Sequence, residues 1–405
     1  MEVYQGMAPL HPDEAWQRIA ERLAPLPGEM AGRREAAGQV LARDLAATVD
    51  VPAADVSAMD GYAVAGEVRP GERQPVAGTV AAGDPPGFAL PPAAAARIMT
   101  GAPVPRGADR IVPVEATDAG REEVVFHAAA QPGEHIRGRG EILRAGDPLL
   151  PAGARLTPGA LALLATHGYA AVPVHRAPSV AVLTTGDEVV PPEALPAPGQ
   201  LRDSHTDFLL AAGATLGLRC EPLGIAPDRK DALRVLVERG LRSDVLLLCG
   251  GVSMGEFDLV EGVLAGLGCE TVFDAVAVQP GKPLVFAVHP GGLVFGLPGN
   301  PASVMVSFWL FVRPTLRRLM GIEDSWWGSA VAGTLAAPLP GAGPRDRFLP
   351  AAAEARDGGL RVIPFPPKGS HDLAAYARGN ALVRVRAGAG TAGVGEGCEV
   401  LIVAV

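Results

Sequence analysis

Four short segments of this chain combine glycines with residues that can bind a charged ligand: TTGDE at 184–188, GGVSMGEFD at 250–258, QPGKP at 279–283 and GLPGNPAS at 296–303. Glycines let the backbone approach a ligand closely and turn its N–H groups toward an anion. Acidic side chains beside such a backbone would repel a phosphate unless a divalent cation lay between them, so the combination predicts Mg²⁺. Together the segments predict a site for a phosphate-bearing ligand.

The glycines carry the first part of this prediction. Gly250, Gly251 and Gly255 allow close backbone approach, and a helix beginning near Asp258 would add the positive end of its dipole. The stretch 299–301, Gly-Asn-Pro, precedes a further helix, with the proline suited to its first turn. The alternative is that these glycines only form tight strand-to-helix turns and that the asparagine is only a turn residue.

The charged residues carry the second part. Carboxylates that could hold a metal come from Asp187, Glu188, Asp203 and Asp258. Lys282 lies between glycine and proline, so it is not on a helix, and it is one of only three lysines. The alternatives are that Asp187 and Glu188 are solvated loop acids and that Asp203, like Asp228, only caps a helix.

Alternating strands and helices over 178–320 must position these segments. Near-continuous apolar strands such as SVAVLTT and DVLLLCG alternate with helices such as DRKDALRVLVERGL. This rhythm predicts a largely parallel sheet covered on both faces. Ligands of such sheets bind outside the carboxyl ends of the strands, and the four segments fall at such ends. We therefore expect them to converge on one edge of the sheet.

The flanking regions have a different pattern of predicted helices and strands. Residues 11–47 predict two helices, the first starting at Pro12 and the second covering roughly 29–47. Residues 48–146 alternate short strands with Gly and Pro turns, which predicts a small inserted β domain. Residues 147–177 return to a helix and a strand, and 330–405 predict a barrel or small sandwich.

The inserted β region adds candidate site residues of its own. The stretch DVSAMDGYAV (55–64) places Asp55, Ser57 and Asp60 in one turn-like segment, and Thr100 follows a strand in IMTGAPVP. The stretch EHIRGRGEI (134–142) brings two arginines and a glutamate together at positions 137, 139 and 141. Arginines at this spacing can grip an oxyanion. The alternative is solvated loop charge, which we favour for Arg139.

Composition limits the class of protein. The 405 residues are 48% hydrophobic and 20% charged, which is typical of a globular chain of several domains. The net charge of -9 argues against a general nucleic-acid binder. The four scattered cysteines predict reduced, buried thiols and a cytoplasmic protein. No signal pattern or apolar run long enough for a membrane span is present in the sequence.

Several common site motifs are absent from the sequence. GKP at 281–283 is not a P-loop, and GGVSMG lacks the GxGxxG spacing of dinucleotide-binding folds. There is no HExxH or CxxC. A small-molecule kinase or dehydrogenase on a doubly wound sheet is therefore disfavoured, although binding of ATP or NAD would revive it.

The motifs that are present resemble those of one family. DVSAMDGYAV, MTGAPVP, TGDE, DSH, GGVSMGEFD, PGKP, GLPGNPAS and KGSH are similar, in this order, to the motifs of the MoeA family. These are the molybdopterin molybdenumtransferases, whose eukaryotic relatives include the E domain of gephyrin. One such motif is weak, but eight in order over most of the chain are specific.

The resemblance implies a multidomain α/β plus β fold. It implies a helical domain I (1–47 and 147–177) and an inserted β domain II (48–146). Domain III (178–327) would be a MogA-like three-layer α/β domain with a mostly parallel sheet that binds molybdopterin, and domain IV (328–405) a β-barrel. It also implies a homodimer whose site lies where domain III of one subunit meets domain II of the other, with a MogA-like protein and apo-molybdoenzymes as possible partners.

The resemblance also implies a reaction. Adenylylated molybdopterin and molybdate would give molybdenum cofactor and AMP, with Mg²⁺ held by Glu188 and Asp258. The residues implied as catalytic are Asp55, Thr100, Glu188 and Asp258. The residues implied to bind substrate are Arg137, Glu141, Thr185, Gly186, Asp187, Asp203, Ser204, Gly250, Gly251, Ser253, Gly255, Lys282, Pro298, Gly299, Asn300, Ser303 and Ser370.

The chain departs from the family pattern at positions where charge is expected. Ile142 replaces an aspartate, Ala275 and Gln279 replace basic residues, and Pro350 replaces an arginine, while Val56 replaces an asparagine. Loss of this positive charge would weaken a site for molybdate or pyrophosphate. One hypothesis is an active molybdenumtransferase in which Arg137, Arg139 and Lys282 suffice. The other is a non-catalytic scaffold that binds molybdopterin or a protein partner. Neither hypothesis distinguishes molybdate from tungstate.

Overall fold

The computed structural model describes residues 8–251, 259–356 and 358–403. The chain forms two compact units: unit 1 comprises residues 1–29 and 175–405, and unit 2 comprises residues 30–174. No helix among the described residues is long and apolar enough to cross a membrane.

Both units contain strands. The first eleven strands are β1 (Gly28–Gly32), β2 (Leu45–Ala46), β3 (Val56–Ser57), β4 (Gly61–Val64), β5 (Arg73–Val80), β6 (Ala95–Ile98), β7 (Arg110–Pro113), β8 (Glu123–Val125), β9 (Ile136–Arg137), β10 (Pro148–Leu150) and β11 (Ala171–His175). The next nine are β12 (Val180–Thr185), β13 (Val189–Val190), β14 (Leu201–Arg202), β15 (Cys220–Ala226), β16 (Val245–Cys249), β17 (Glu270–Ala275), β18 (Val278–Gln279), β19 (Pro283–His289) and β20 (Gly292–Leu297). The last five are β21 (Val331–Leu335), β22 (Asp346–Arg356), β23 (Gly359–Pro364), β24 (Ala381–Val385) and β25 (Gly397–Ile402).

The helices lie mainly in unit 1. They are α1 (Pro12–Ala20), α2 (Pro158–Thr166), α3 (His205–Thr215), α4 (Lys230–Gly240), α5 (Leu259–Gly266), α6 (Pro301–Ser307), α7 (Arg313–Leu319) and α8 (Leu373–Ala377). A 3₁₀ turn covers Val114–Ala116, and a π-helical segment, Phe308–Val312, joins α6 to α7.

Unit 2 is built around an antiparallel and parallel sheet of five strands in the order β7-β4-β6-β5-β8. The buried side chains of Tyr62, Val112 and Phe126 pack on one of its faces. The predicted small β domain is therefore present as a sheet. The predicted second helix over 29–47 is wrong: this segment holds β1, turns and β2 instead. Its backbone bonds to distant chain, with Leu41 N–H donating to the Ala154 carbonyl at 3.0 Å.

A six-stranded sheet in the order β15-β12-β16-β20-β19-β17 forms the centre of unit 1. The ladders β15–β12, β12–β16 and β16–β20 are parallel, and the ladders β20–β19 and β19–β17 are antiparallel. Alternate residues of the parallel strands face opposite sides. Leu247 lies in the core with α1, α3, α6 and α7, and Leu248 lies in the core with α4 and α5. Both faces are covered, which confirms the predicted three-layer α/β domain.

The C-terminal strands of unit 1 close into a barrel. Strands β22, β23, β21, β25 and β24 follow one another, and β24 pairs again with β22, so the five-stranded ring has no open edge. Its interior holds Leu349, Val362, Val383 and Val400, all nearly inaccessible to solvent. The predicted C-terminal β-barrel is confirmed.

The cysteines agree with the expectation of reduced thiols. All four are free, and Cys220, Cys249 and Cys269 are buried, whereas Cys398 is partly exposed. Burial raises the pKa of Cys269 to about 11, so this thiol is uncharged and unreactive at neutral pH.

Candidate functional site

The four glycine-containing segments meet at one edge of the central sheet. Thr185, Cys249 and Leu297 end the parallel strands β12, β16 and β20, and the segments 184–188, 250–258 and 296–303 follow them. The QPGKP segment lies between the carboxyl end of β17 and the start of β19, where Ala275 pairs with Pro283. Because β19 is antiparallel to β20, its start lies at this same edge. The predicted convergence is confirmed for the described residues.

Gly250 and Gly251 adopt backbone conformations that favour glycine. Their φ angles are 87° and 64°, in the left-handed region. A Cβ at Gly250 would lie 2.8 Å from the Thr185 carbonyl oxygen, and Gly250 N–H donates to the Leu297 carbonyl at 3.1 Å. The Thr185 hydroxyl is buried and has no hydrogen-bond partner among the described residues. Gly250, at the start of this loop, therefore packs between the ends of β12 and β20. It lies beside the Thr185 hydroxyl, which has no hydrogen-bond partner among the described residues.

Asp187 and Asp228 follow the neighbouring strands β12 and β15 and hold each other's loops. Asp228 N–H donates to the Asp187 carboxylate at 3.1 Å, and Asp187 N–H reaches the Asp228 carboxylate at 3.4 Å. The expectation that Asp228 caps a helix is wrong, since Arg229 occupies the N-cap position of α4 and no side chain caps it. The carboxylate of Asp228 is instead used by the loop after β12.

The Asp203 carboxylate binds the first turn of helix α3 from the position before the N-cap, close to the capping role that was the alternative for it. Its Oδ1 accepts hydrogen bonds from His205 N–H at 2.9 Å and Thr206 N–H at 3.1 Å, and its Oδ2 accepts from the Thr206 hydroxyl at 2.6 Å. Thr184 Oγ1 lies 3.1 Å from the same hydroxyl. Ser204 is the N-cap residue but its side chain makes no capping bond. Asp203 is therefore a fixed, buried carboxylate at the sheet edge.

A first cavity, of about 590 Å³, opens at the ends of β12 and β15. It is lined by Gly186, Asp187, Val189, Pro191, Pro192, Asp203, Thr206, Asp207, Gly224, Ile225 and Pro227. Apolar walls with a few fixed polar groups are typical of small-molecule sites. Three predicted site residues, Gly186, Asp187 and Asp203, line this cavity, which we call the larger cavity.

A second cavity, of about 270 Å³, lies between the sheet edge and the barrel. Its polar lining comes from Gln279, Lys282, Asn300, Ser303, Arg345, Arg347, Ser370 and Tyr376. We call it the basic cavity. The structure therefore brings the predicted residues Lys282, Asn300, Ser303 and Ser370 together. Pro298 and Gly299 lie beside them at the end of β20.

The sequence reasoning missed Arg345 and Arg347 in this cavity. Their signal is the stretch PRDRF, in which two arginines alternate with an aspartate at the start of a strand. Alternation places the arginines on one face and Asp346 on the other. Asp346 pairs with Arg384 through contacts of 2.8 Å and 2.6 Å, and both side chains are buried.

Of the predicted metal ligands, only Glu188 lies within the described chain. It is exposed, and its carboxylate folds over Gly186, so that a Cβ there would lie 2.6 Å from Oε2. Asp258, Ser253 and Gly255 lie outside the described residues. Across 8–251, 259–356 and 358–403, no group of three or more His, Cys, Asp or Glu side chains could hold a metal ion. The metal site stays a prediction.

The predicted site residues of unit 2 also come together. Strands β3 and β9 pair Val56 with Arg137, and Asp55 accepts a hydrogen bond from Arg139 N–H at 2.8 Å. The Glu141 carboxylate accepts from Gly138 N–H at 2.8 Å. Arg139 pairs with Asp50 and its side chain is 68% exposed, in keeping with the loop-charge alternative that we favoured for it.

Thr100 is fixed by Asp60, and the next residue, Gly101, donates its N–H to the Ser57 carbonyl of β3 at 2.8 Å. The backbone N–H and the hydroxyl of Thr100 both donate to Oδ1 of Asp60, at 2.7 Å and 2.8 Å. These two bonds, the backbone one first, lower the pKa of Asp60 below its usual value. The carboxylate is therefore ionised at neutral pH and fixes the turn that carries Thr100.

The structure locates the residues that depart from the family pattern. Ile142 is 67% exposed, next to Glu141. Ala275 and Pro350 are buried, the first at the end of β17 and the second within β22. Gln279 lines the basic cavity.

Three family models match the chain in succession. Residues 10–168 match the MoeA N-terminal region (domain I and II), residues 181–318 match a probable molybdopterin binding domain, and residues 332–403 match the MoeA C-terminal region (domain IV).

Relatives in other organisms match most of the chain. A protein named molybdopterin molybdenumtransferase 2 from Mycobacterium tuberculosis is 37% identical over 87% of this chain and 89% of its own length. A molybdopterin molybdenumtransferase from Staphylococcus aureus is 32% identical over 95% and 94%. A crystal structure of the molybdopterin biosynthesis MoeA protein from Pyrococcus horikosii is 32% identical, covers 98% of this chain and 99% of that one, and has a TM-score of 0.83. The order of motifs, the fold and these matches agree: the chain belongs to the MoeA family.

Proposed function

We propose that this protein is a molybdopterin molybdenumtransferase that acts in molybdenum cofactor biosynthesis. Its substrates are adenylylated molybdopterin and molybdate, and its products are molybdenum cofactor and AMP. The bond that breaks is the phosphoanhydride between the pterin phosphate and AMP. The proposal rests first on the relatives, which carry this name at 32% to 37% identity over most of the chain.

The extended shape of the site in unit 1 is the structural observation that supports this proposal. The larger cavity lies at the ends of β12 and β15, and the basic cavity lies beside the start of β19. Three strand spacings separate β12 from β19, which is roughly 14 Å. The ends of β16 and β20, with Gly250 and Gly299, lie between them. A ligand with two chemically different ends fits this arrangement better than a small, compact one.

In this proposal each part of the edge has a task. The larger cavity takes one ring system, with Asp187 and Asp203 as hydrogen-bond acceptors. Gly250 and Gly251 bring backbone close to the phosphates, with Thr185 offering its unused hydroxyl. Donors arranged around a phosphoanhydride stabilise the charge that develops as it is cleaved.

Magnesium fits this donor set. Mg²⁺ in phosphate-transfer sites is held by one or two carboxylates together with substrate phosphates and water. We propose that Glu188 and Asp258 hold it, and Glu188 is an exposed carboxylate at the sheet edge. The bound ion would neutralise phosphate charge beside the acids of this edge.

We also propose the assembly that the family pattern implies. The four domains would be 1–47 with 147–177, 48–146, 178–327 and 328–405. The protein would act in the cytoplasm as a homodimer, with Asp55, Thr100, Arg137 and Glu141 of one subunit completing the site of the other. A MogA-like protein and apo-molybdoenzymes are the proposed protein partners.

A second candidate function is a scaffold that binds molybdopterin without inserting metal. The uncharged residues Ile142, Ala275, Gln279 and Pro350 favour it, since the family pattern has charge at these positions.

The deciding experiment is AMP release from adenylylated molybdopterin by the purified full-length protein with Mg²⁺. We expect release that depends on molybdate and is lost in Glu188→Ala. Glu193→Ala, which changes an exposed glutamate just beyond β13, is the matched control and should release AMP at the wild-type rate. Binding of the pterin without AMP release, with both molybdate and tungstate, would contradict the transferase and support the scaffold.

A further inference from the structure

The lining of the basic cavity is strongly one-sided in charge. Lys282, Arg345 and Arg347 contribute three cations, and none of the cavity's lining residues is an aspartate or glutamate. A site with this lining attracts an anion and excludes cations, because no nearby acid neutralises the field.

These three cations are also free of ion pairs within the described chain. Among the salt bridges there, none involves Lys282, Arg345 or Arg347. Arg345 donates to the Val278 carbonyl and Arg347 to the Gly341 carbonyl, both at 3.3 Å. Each guanidinium has five N–H donors, so most of them remain available.

The neighbouring acid is occupied elsewhere. Asp346 lies between the two arginines in sequence, but its carboxylate accepts from Arg384 Nε at 2.8 Å and from Ala387 N–H at 2.8 Å. The Arg384 guanidinium also covers the Trp326 ring, 4.5 Å from its centre. Asp346 therefore does not neutralise Arg345 or Arg347.

Hydroxyl groups complete the lining. Ser303 is 3% exposed and its hydroxyl makes no hydrogen bond to another described residue. The side chains of Asn300 and Ser370 likewise have no hydrogen-bond partner within the described ranges. The cavity thus offers unused neutral donors beside unpaired cations.

The register between β18 and β22 places Arg347 next to Gln279. Strand β18 pairs with β22 in parallel, and Gln279 is the direct partner of Arg347. Side chains of paired residues project from the same face of a sheet, and both of these residues line the basic cavity. Gln279 is the position where the family pattern has a basic residue. The positive charge missing from β18 is present on the adjacent strand.

We infer that Arg347, supported by Arg345, is the oxyanion-binding residue of this chain and replaces the basic side chain absent at Gln279. Its ligand is a tetrahedral dianion, and the identification of that dianion as molybdate rests on the proposed function. Pro350 is buried and does not line the cavity, so the charge is not restored there. The charge missing at Gln279 is therefore compensated by Arg347, and this one departure does not count in favour of the scaffold.

The test is calorimetric titration of the full-length protein with sodium molybdate. Loss of a charge-assisted hydrogen bond in Arg347→Gln should weaken molybdate binding by ~10-fold or more. Arg347→Lys should lose less of the affinity for molybdate. In the Arg347→Gln background, Gln279→Lys places an ammonium group on the paired position and should recover most of the affinity. Arg361→Gln, which removes an arginine from another part of the barrel, should bind within about twofold of wild type.

Three outcomes would overturn the inference: no binding of molybdate by the wild-type protein, unchanged binding in Arg347→Gln, or equal loss in Arg361→Gln. Thermal unfolding of each variant guards against loss of fold. AMP release by the same proteins separates the two proposals. Release by wild type with an unchanged KM for molybdate in Arg347→Gln would overturn the inference and leave the transferase. Molybdate binding that depends on Arg347, without AMP release, would support the inference and contradict the transferase.

Discussion

Arg176 and Asp244 join through two parallel hydrogen bonds, Nη1 to Oδ2 at 2.7 Å and Nη2 to Oδ1 at 2.6 Å. Ser179 adds two more to the same carboxylate, from its N–H at 2.8 Å and its hydroxyl at 2.7 Å. These contacts fix the starts of β12 and β16, at the edge of the sheet opposite the candidate site. The hydrogen bonds from Arg176 are the largest cause that lowers the pKa of Asp244 from 3.8 to about 2.

This pair predicts a defined dependence of stability on pH. The folded protein holds Asp244 at a depressed pKa, so the contribution is complete above pH 3.8 and is lost as the pH falls toward 2. We expect Asp244→Asn to lower the free energy of unfolding by about 2 kcal/mol at pH 7, after allowance for partial exposure of Arg176. The difference from wild type should shrink between pH 4 and pH 2 in urea unfolding experiments.

Glu221→Gln serves as the control for this prediction. Glu221 pairs with Arg239, but both side chains are more than half exposed, so we expect a change within about 0.5 kcal/mol. Asp244→Asn should leave AMP release unchanged at a temperature where it is folded, because it lies at the other edge. A destabilisation that stays constant down to pH 2 would contradict the assignment.

Gly250 is predicted to be irreplaceable for a reason of backbone geometry. Alanine there must adopt a φ near 87°, and its Cβ would meet the Thr185 carbonyl oxygen at 2.8 Å. We expect Gly250→Ala to cost about 1–3 kcal/mol of stability and to reduce AMP release. Gly262→Ala on α5 is the opposite case, since it is exposed, helical and has no atom within 4 Å of its Cβ. It should stabilise by about 0.5–1 kcal/mol. Equal effects of the two changes on the urea midpoint would refute this reasoning.

The central sheet and its functional edge could be predicted from the sequence because they depend on local patterns. Apolar runs such as VLLLC are buried on both faces only in a covered parallel sheet, and glycine follows such a strand where the chain turns. Pro301 marked the start of α6 correctly for the same reason. The sequence also placed the QPGKP segment, before β19, at this edge, although it did not show that β19 runs antiparallel to β20.

Features that depend on distant partners could not be predicted. The stretch 29–47 has helix-forming alanine, glutamate and arginine, but Leu41 and Ala42 donate to residues more than 100 positions away. Asp228 has the sequence position of a cap, yet the loop of Asp187 takes its carboxylate. Arg347 could not be related to Gln279 without the register of β18 and β22. In each case a non-local pairing overrides local preference.

Thr100 tests whether the unit 2 cluster takes part in the reaction. Thr100→Val removes the hydroxyl bond to Asp60 and keeps the shape of the side chain and the backbone bond. If the proposed function holds, we expect kcat/KM for AMP release to fall by roughly 10- to 100-fold through loss of positioning. Thr100→Ser retains the hydroxyl and should keep most of the activity. Thr79→Val on β5 is the control, and a loss of activity as large as that of Thr100→Val would indicate a general effect on the β unit.

Removal of the metal tests the proposed role of Glu188. Chelation with EDTA should abolish AMP release, and added Mg²⁺ should restore it. Glu188→Gln keeps the size of the side chain but removes a carboxylate, the kind of ligand that Mg²⁺ prefers. We therefore expect the Mg²⁺ concentration for half-maximal AMP release to rise by ~10-fold or more, while molybdate binding to the basic cavity stays unchanged.

The matched control is Glu193→Gln, which removes the same charge from an exposed position just beyond β13 and should leave the Mg²⁺ requirement at the wild-type value. Because Glu188 lies beside Asp187, a purely electrostatic effect of losing one acid would appear as a changed dependence on salt with an unchanged Mg²⁺ midpoint. A shifted midpoint that persists at high salt identifies Glu188 as a metal ligand. An unshifted midpoint in Glu188→Gln would remove it from the proposed metal site.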